Sequence, residues 1–215
     1  LAEAAMARDM VTVRALLLER GADVNAMGPL ETPALHWVVR VEDADTAARL
    51  LQAGADPKLT NGYQVTALHL AIENNDVAMV KLLLEAGADP LLPDRTGESA
   101  IFMAARGGSA AIAEALLSHG ASVDEREPSF AQTPLLVAIR ANAEDVVRLL
   151  LQHGADVNVQ TLTGEVPTWR LPSQNAGSKG VGIVRGGWPE RGERSPVGGA
   201  KTPLLYATRE GNLEL

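Results

Sequence analysis

The tripeptide Gly-Ala-Asp returns at Gly21-Ala22-Asp23, Gly54-Ala55-Asp56, Gly87-Ala88-Asp89 and Gly154-Ala155-Asp156, with Gly120-Ala121-Ser122 between the last two. Successive glycines stand 33, 33, 33 and 34 residues apart. A second series keeps step with the first: Thr32-Pro33-Ala34-Leu35-His36, Thr66-Ala67-Leu68-His69, Ser99-Ala100-Ile101-Phe102, Thr133-Pro134-Leu135-Leu136 and Thr202-Pro203-Leu204-Leu205, spaced by 34, 33, 34 and then 69 residues. Two motifs locked to one such period constrain the fold severely. A unit of that length cannot bury its own hydrophobic face, so the copies must stack into an elongated solenoid.

Between these landmarks the residues read as pairs of short helices. In residues 1–20, Ala4, Ala5 and Ala7 are small enough for close helix approach, and Val11, Val13, Leu16, Leu17 and Leu18 form the apolar stripe of a second helix. Gly21 should end that helix in a left-handed conformation that a side chain resists. Val24 and Asn25 then lead into a hairpin-like finger. The next unit opens at Thr32-Pro33, read as an N-cap followed by proline at the first helical position, where a missing N–H costs nothing. The unit from Thr66 to Asp89 is the most regular, with Asn74-Asn75-Asp76 as its tight turn and Val80, Leu82, Leu83 and Leu84 as its core. Val146, Val147, Leu149, Leu150 and Leu151 play that part in the unit from Thr133 to Asp156. Hydrophobic residues make up 46% of the chain but aromatics only 3%, so the core must be built from Ala and Leu, as closely stacked helices require.

A 33-residue period that opens on Thr-Pro-Leu-His and closes on Gly-Ala-Asp resembles the ankyrin repeat. The resemblance implies an all-α solenoid of helix–turn–helix repeats with hairpin-like finger loops. It divides a single domain, 1–215, into repeats at about 1–25 (partial), 26–58, 59–91, 92–124, 125–158 and 202–215 (partial). It also implies that His36 and His69 hydrogen-bond within and between repeat loops, rather than acting as bases or metal ligands. The fourth repeat departs from the pattern, with Ser99 for Thr, Ala100 for Pro and Phe102 for His, so its loop is expected to be held by packing. The fifth has Leu136 in the histidine's place. His119 and His153 stand before terminating glycines, where they can cap the last helical carbonyls. The irregular repeats and the Ala/Arg/Gly-rich usage look similar to bacterial ankyrin proteins. The chain starts within a helical pattern at Leu1-Ala2-Glu3 and stops inside a repeat, so a longer protein is expected.

In ankyrin repeats the residue five after the motif's leucine tends to face a concave groove. Carried onto this chain, those positions are Met6, Arg40, Glu73, Arg106, Arg140 and Arg209. Stacked helices lie about 10 Å apart, which would make the arginines a stripe suited to bidentate contacts with carboxylates or phosphates. The same arginines could instead pair with finger acids such as Asp94, Asp124 or Glu125. Met27, Leu30, Leu59, Tyr63, Leu91, Leu92 and Phe130 would add apolar finger contacts.

The step of 69 marks an insertion at residues 159–201. It holds nine of the twenty glycines, four of the twelve prolines, and two of the three tryptophans, Trp169 and Trp188. Arg170, Lys179, Arg185, Arg191, Arg194 and Lys201 stand against Glu165, Glu190 and Glu193, a net +3 that leaves −11 on the rest of a chain of −8. Insertions in repeat arrays map to loops on one face, often the binding face. The bland reading is a disordered loop, since Gly- and Pro-rich segments bury little. Trp169, Arg170, Arg185, Trp188, Arg191 and Arg194 are its candidate recognition residues.

A net charge of −8 argues against nucleic acid or an anionic membrane as partner, and no run of about 18 apolar residues is present. The absence of cysteine excludes thiol chemistry and thiolate metal sites. Gly198-Gly199-Ala200-Lys201-Thr202 fails as a phosphate loop because Ala200 fills a glycine position, and Gly180-Val181-Gly182 spaces its next glycine, Gly186, too far for a dinucleotide fingerprint. No catalytic, cofactor or metal site is expected. The leading expectation is a non-enzymatic module that binds another protein with an acidic surface. The rivals are a structural spacer, a scaffold self-associating through its incomplete end repeat, and a regulatory domain of a larger protein. Localisation is not legible beyond a soluble chain.

Overall fold

The repeat period becomes helix pairs whose members are too short to be stable alone. The computed structural model describes residues 1–19 and 22–159, which form five pairs. They are α1 (Ala2–Met6) with α2 (Met10–Leu18), α3 (Ala34–Arg40) with α4 (Ala44–Gln52), and α5 (Ala67–Glu73) with α6 (Val77–Glu85). The last two are α7 (Ala100–Gly107) with α8 (Ala110–Ser118), and α9 (Pro134–Arg140) with α10 (Glu144–Gln152). Among the described residues there is no strand, only an isolated bridge between Thr60 and Thr66. The chain is an all-α solenoid.

Packing runs almost wholly between neighbours: α1, α3, α5, α7 and α9 form one row, and α2, α4, α6, α8 and α10 form the other. Leu35, Leu68, Ile101 and Leu135 are buried along the first row, and Leu50, Leu83, Leu116 and Leu150 along the second. Each such side chain contributes about 1.5–3 kcal/mol by leaving water. Ala47, Ala71, Ala104, Ala113 and Ala138, also buried, let the helices approach closely. Two expectations fail on α2, where Val11 and Leu18 are 80% and 86% exposed and only Val13 is fully buried. Residues seven apart share one helical face, and Val13 points to the opposite one. Leu151 likewise lies outside the core at 39% exposure.

The turns recur as faithfully as the core. The second helices are followed by Gly54, Gly87, Gly120 and Gly154, all at φ between 82° and 96°; Gly21 lies outside the described residues. At Gly87, with φ +91°, an added Cβ would meet nothing within 4 Å, so a side chain there is opposed by backbone conformation alone. Thr66 and Thr133 cap their helices through the amides of His69 and Leu136. Thr32 does not. His36 stands three residues after Pro33, as His69 stands three after Thr66, so Pro33 occupies the cap position. Thr32 falls one residue outside, and its Oγ1 donates to the Leu30 carbonyl at 3.0 Å.

Polar ties join successive repeats. His36 Nε2 donates to the Val65 carbonyl at 2.9 Å, and His69 Nδ1 accepts from the Thr66 amide at 3.2 Å, closing a reciprocal cap. In the fourth repeat Phe102 is fully buried, yet packing does not act alone: Ser99 Oγ donates to Glu125 at 2.5 Å. His119 bonds the Ala115 carbonyl at 2.8 Å, as a C-terminal cap should. His153 instead reaches across to Glu114 on α8, at 3.0 Å.

Burial lowers the pKa of His36 below its ordinary 6.5 against the pull of the Val65 carbonyl. Burial also lowers His69, against Asp94 and the Leu92 backbone. The unfolded chain therefore binds protons first as pH falls, and stability present at neutral pH is lost below about 6.5. Thermal melts should show Tm falling between pH 7 and pH 5, and the variant His69→Phe, built on the Phe102 precedent, should flatten part of that fall. A second measurement concerns Gly87→Ala, expected to lose about 1–2 kcal/mol in chemical denaturation from its left-handed backbone alone.

Candidate partner-binding groove

Between the helix pairs the chain forms fingers, and one position at each finger base sets their shape. Gly28, Asn61, Asp94 and Glu127 recur at steps of 33. Each closes its loop with a backbone bond: Gly28 to Thr32 at 3.1 Å, Asn61 to Val65 at 3.0 Å, Asp94 to Glu98 at 2.9 Å and Glu127 to Gln132 at 3.1 Å, amide to carbonyl in every case. Asn61 Oδ1 accepts from the Tyr63 and Val65 amides at 2.9 and 3.1 Å. Asp94 Oδ1 accepts from the Thr96 and Glu98 amides at 2.7 and 3.1 Å. Partial burial would raise the Asp94 pKa, but the Thr96 hydroxyl and amide, the Glu98 amide and nearby His69 together bring it below the ordinary 3.8.

The fourth finger has one more residue, and its base carries a side chain one methylene longer than Asp. Glu127 is buried and spans the wider loop with both oxygens, accepting from Ser129 N at 2.5 Å, Phe130 N at 2.6 Å and Gln132 N at 3.2 Å. Glu31, Gln64, Gly97 and Ala131 take positive φ near the tips. Leu30 and Tyr63, at 59% and 53% exposure, present apolar tips to solvent. The Gly62 amide donates to the Leu30 carbonyl at 3.3 Å and links the first two fingers. Met27 and Leu91 are also exposed, whereas Leu59, Leu92 and Phe130 are half-buried. Replacing Glu127 with Ala would strand three amides; stability should fall by about 1–3 kcal/mol in denaturant titration, far more than for an exposed acid such as Glu85.

Beside the fingers lie the ends of the first-row helices. Arg40, Glu73, Arg106 and Arg140 occupy those ends and are all exposed, as is Met6 on α1. Three residues earlier on each helix, Trp37, Leu70 and Met103 are half-buried and Val137 is buried, so an apolar row runs next to the charged one. Sequence reasoning passed over that row; its signal was an apolar residue at a constant offset from each charged position. Arg106 pairs with Glu98, and Arg140 Nη1 donates to Gln132 Oε1 at 2.9 Å. Both partners come from the residue just before the helix cap. The finger acids expected to pair with the arginines are engaged elsewhere: Asp94 within its finger, Asp124 on the Asp156 amide at 2.9 Å, and Glu125 on Ser99. Among the described residues Arg40 and Arg140 have no ion-pair partner.

Between the last two finger–helix units a cavity of ≈ 390 Å³ opens over Glu98, Arg106, Phe130, Val137 and Arg140, with Glu127 and Gln132 along its wall. Arg209, Trp169, Arg170, Arg185, Trp188, Arg191 and Arg194 lie outside the described residues, as does the 159–201 insertion beyond Val159. Among the described residues no three His, Asp or Glu gather as metal ligands, and no helix is long and apolar enough to cross a membrane.

Stacked helix pairs, each extending a capped finger beside a shared groove, define a repeat-protein interaction scaffold. The family model for ankyrin repeats (3 copies) matches residues 1–94 and 89–161, and the chain belongs to the ankyrin-repeat family. Ankyrin repeats are in general protein–protein interaction modules, not a catalytic class. Among curated proteins no relative matches the chain.

Proposed function

We propose that the chain is a non-enzymatic binding module whose groove and finger tips hold an acidic segment of another protein. The observation that carries this reading is the state of the arginines. In a chain of net charge −8, Arg40 and Arg140 remain exposed and without an ion pair among the described residues. Surface guanidinium groups beside half-buried Trp37, Leu70 and Met103 offer charge selectivity next to apolar contact, the pairing that specific interfaces use. Leu30 and Tyr63 would supply anchors at the finger tips. Glu73 interrupts the row, so the complementary segment is mainly but not wholly acidic. The basic 159–201 insertion, by its sequence alone, carries the same charge preference.

Charge reversal tests the groove. Arg40→Glu combined with Arg140→Glu should reduce capture of a partner from lysate by at least tenfold, with binding by the unaltered chain weakening as salt shortens the screening length to about 8 Å or less. Undiminished capture by the double variant would place recognition elsewhere, and replacing residues 160–200 with a short finger would then ask whether the insertion holds it. The rival scaffold role is separated by light scattering, where a self-associating array gives a mass that rises with concentration.

A further inference from the structure

The recess beneath the Glu127 finger carries a narrower statement, which rests on the reading of the groove as a protein-binding surface. We infer that the space between Arg106 and Arg140 receives a single carboxylate side chain of the partner, in the place that Glu98 holds in the free protein. Glu98 and Gln132 occupy the same position in successive repeats, each reaching the arginine eight residues on. One repeat thus supplies its arginine with a carboxylate; the next supplies only a neutral amide. The other acid in the wall, Glu127, has both oxygens committed to the amides of Ser129, Phe130 and Gln132. Two guanidinium groups therefore line a recess whose one available carboxylate is held by Arg106 alone, and an arginine has five N–H donors to place.

The remaining lining fits the rest of an acidic residue. Phe130, Val137 and Ala141 form an apolar floor for its methylene stem and for an apolar neighbour, within a volume of ≈ 390 Å³. That size is at the low end of ligand sites, about 300–1,000 Å³. The acid class follows from charge. An incoming carboxylate exchanges with Glu98 one for one, whereas a phosphate brings about −1.5 to −2 into a recess that still holds Glu127 in its wall. Glu98 acts as a built-in occupant that a true ligand displaces.

The test begins with random peptides displayed on phage and selected on the full chain, followed by anisotropy measurements on the enriched sequence. Enriched peptides should share one Asp or Glu beside an apolar residue. Arg140→Gln should weaken that peptide at least tenfold, and Glu98→Gln should tighten it several-fold by removing the competitor. Exchanging the peptide's acid for its amide should cost markedly more on the unaltered chain than on Arg140→Gln, where only Arg106 remains to hold it. The tightening on Glu98→Gln is the readout that a merely structural role would not produce. Weakened binding by Glu98→Gln, unchanged binding by Arg140→Gln, or preference for a phosphoserine version would each overturn the recess. Peptides that depend on Arg40 and Tyr63 but ignore Arg140 would overturn it while leaving the groove reading in place. Enrichment no greater than on the Arg40→Glu/Arg140→Glu variant would overturn both.

Discussion

The structure depends on one constraint: a helix of five to nine residues cannot hold itself together and must bury its face against the same helix of the next repeat. Leu50, Leu83, Leu116 and Leu150 meet that need in one row, and Leu35, Leu68, Ile101 and Leu135 in the other. Because the spacing of these residues is fixed by the stack, everything attached to the helices inherits the same spacing. The charged ends Arg40, Glu73, Arg106 and Arg140 form a row for that reason, whatever they bind.

The fingers solve a different problem. Their amides project beyond the stack and need acceptors, and Asn61, Asp94 and Glu127 supply them from within the loop. The match between a longer loop and a longer side chain lets the fourth finger gain a residue without disturbing the helix that follows. That added length forms the wall of the recess, so a change in loop chemistry becomes a change in the binding surface. Gly28 lacks such a side chain, and there the first finger leans on its neighbour through the Leu30 carbonyl.

Much of this was legible from period alone. A repeat that closes on glycine announces both the positive φ at Gly54, Gly87, Gly120 and Gly154 and the stack above it. Counting puts Arg40, Arg106 and Arg140 at one repeat position, the end of the first helix. Counting failed where two registers compete: Thr32-Pro33 looks like a cap and a first turn, but His36 fixes the helix one residue later. It also failed where a face must be chosen among adjacent leucines, as at Leu18 and Leu151. A pairing such as His153 with Glu114 depends on side-chain reach between elements, which no spacing encodes.

Among the described residues the ties between repeats span similar stretches of chain, with separations of 29 residues for His36 to Val65, 26 for Ser99 to Glu125, 32 for Arg14 to Thr46 and 39 for His153 to Glu114. Loop-closure entropy grows only with the logarithm of length, so each tie faces nearly the same entropic cost as the next. Among the described residues no single long-range contact locks the array. Such a chain assembles by extension from any pair already formed, and under tension it would come apart from an end, one interface at a time, while the repeats further along still grip their neighbours.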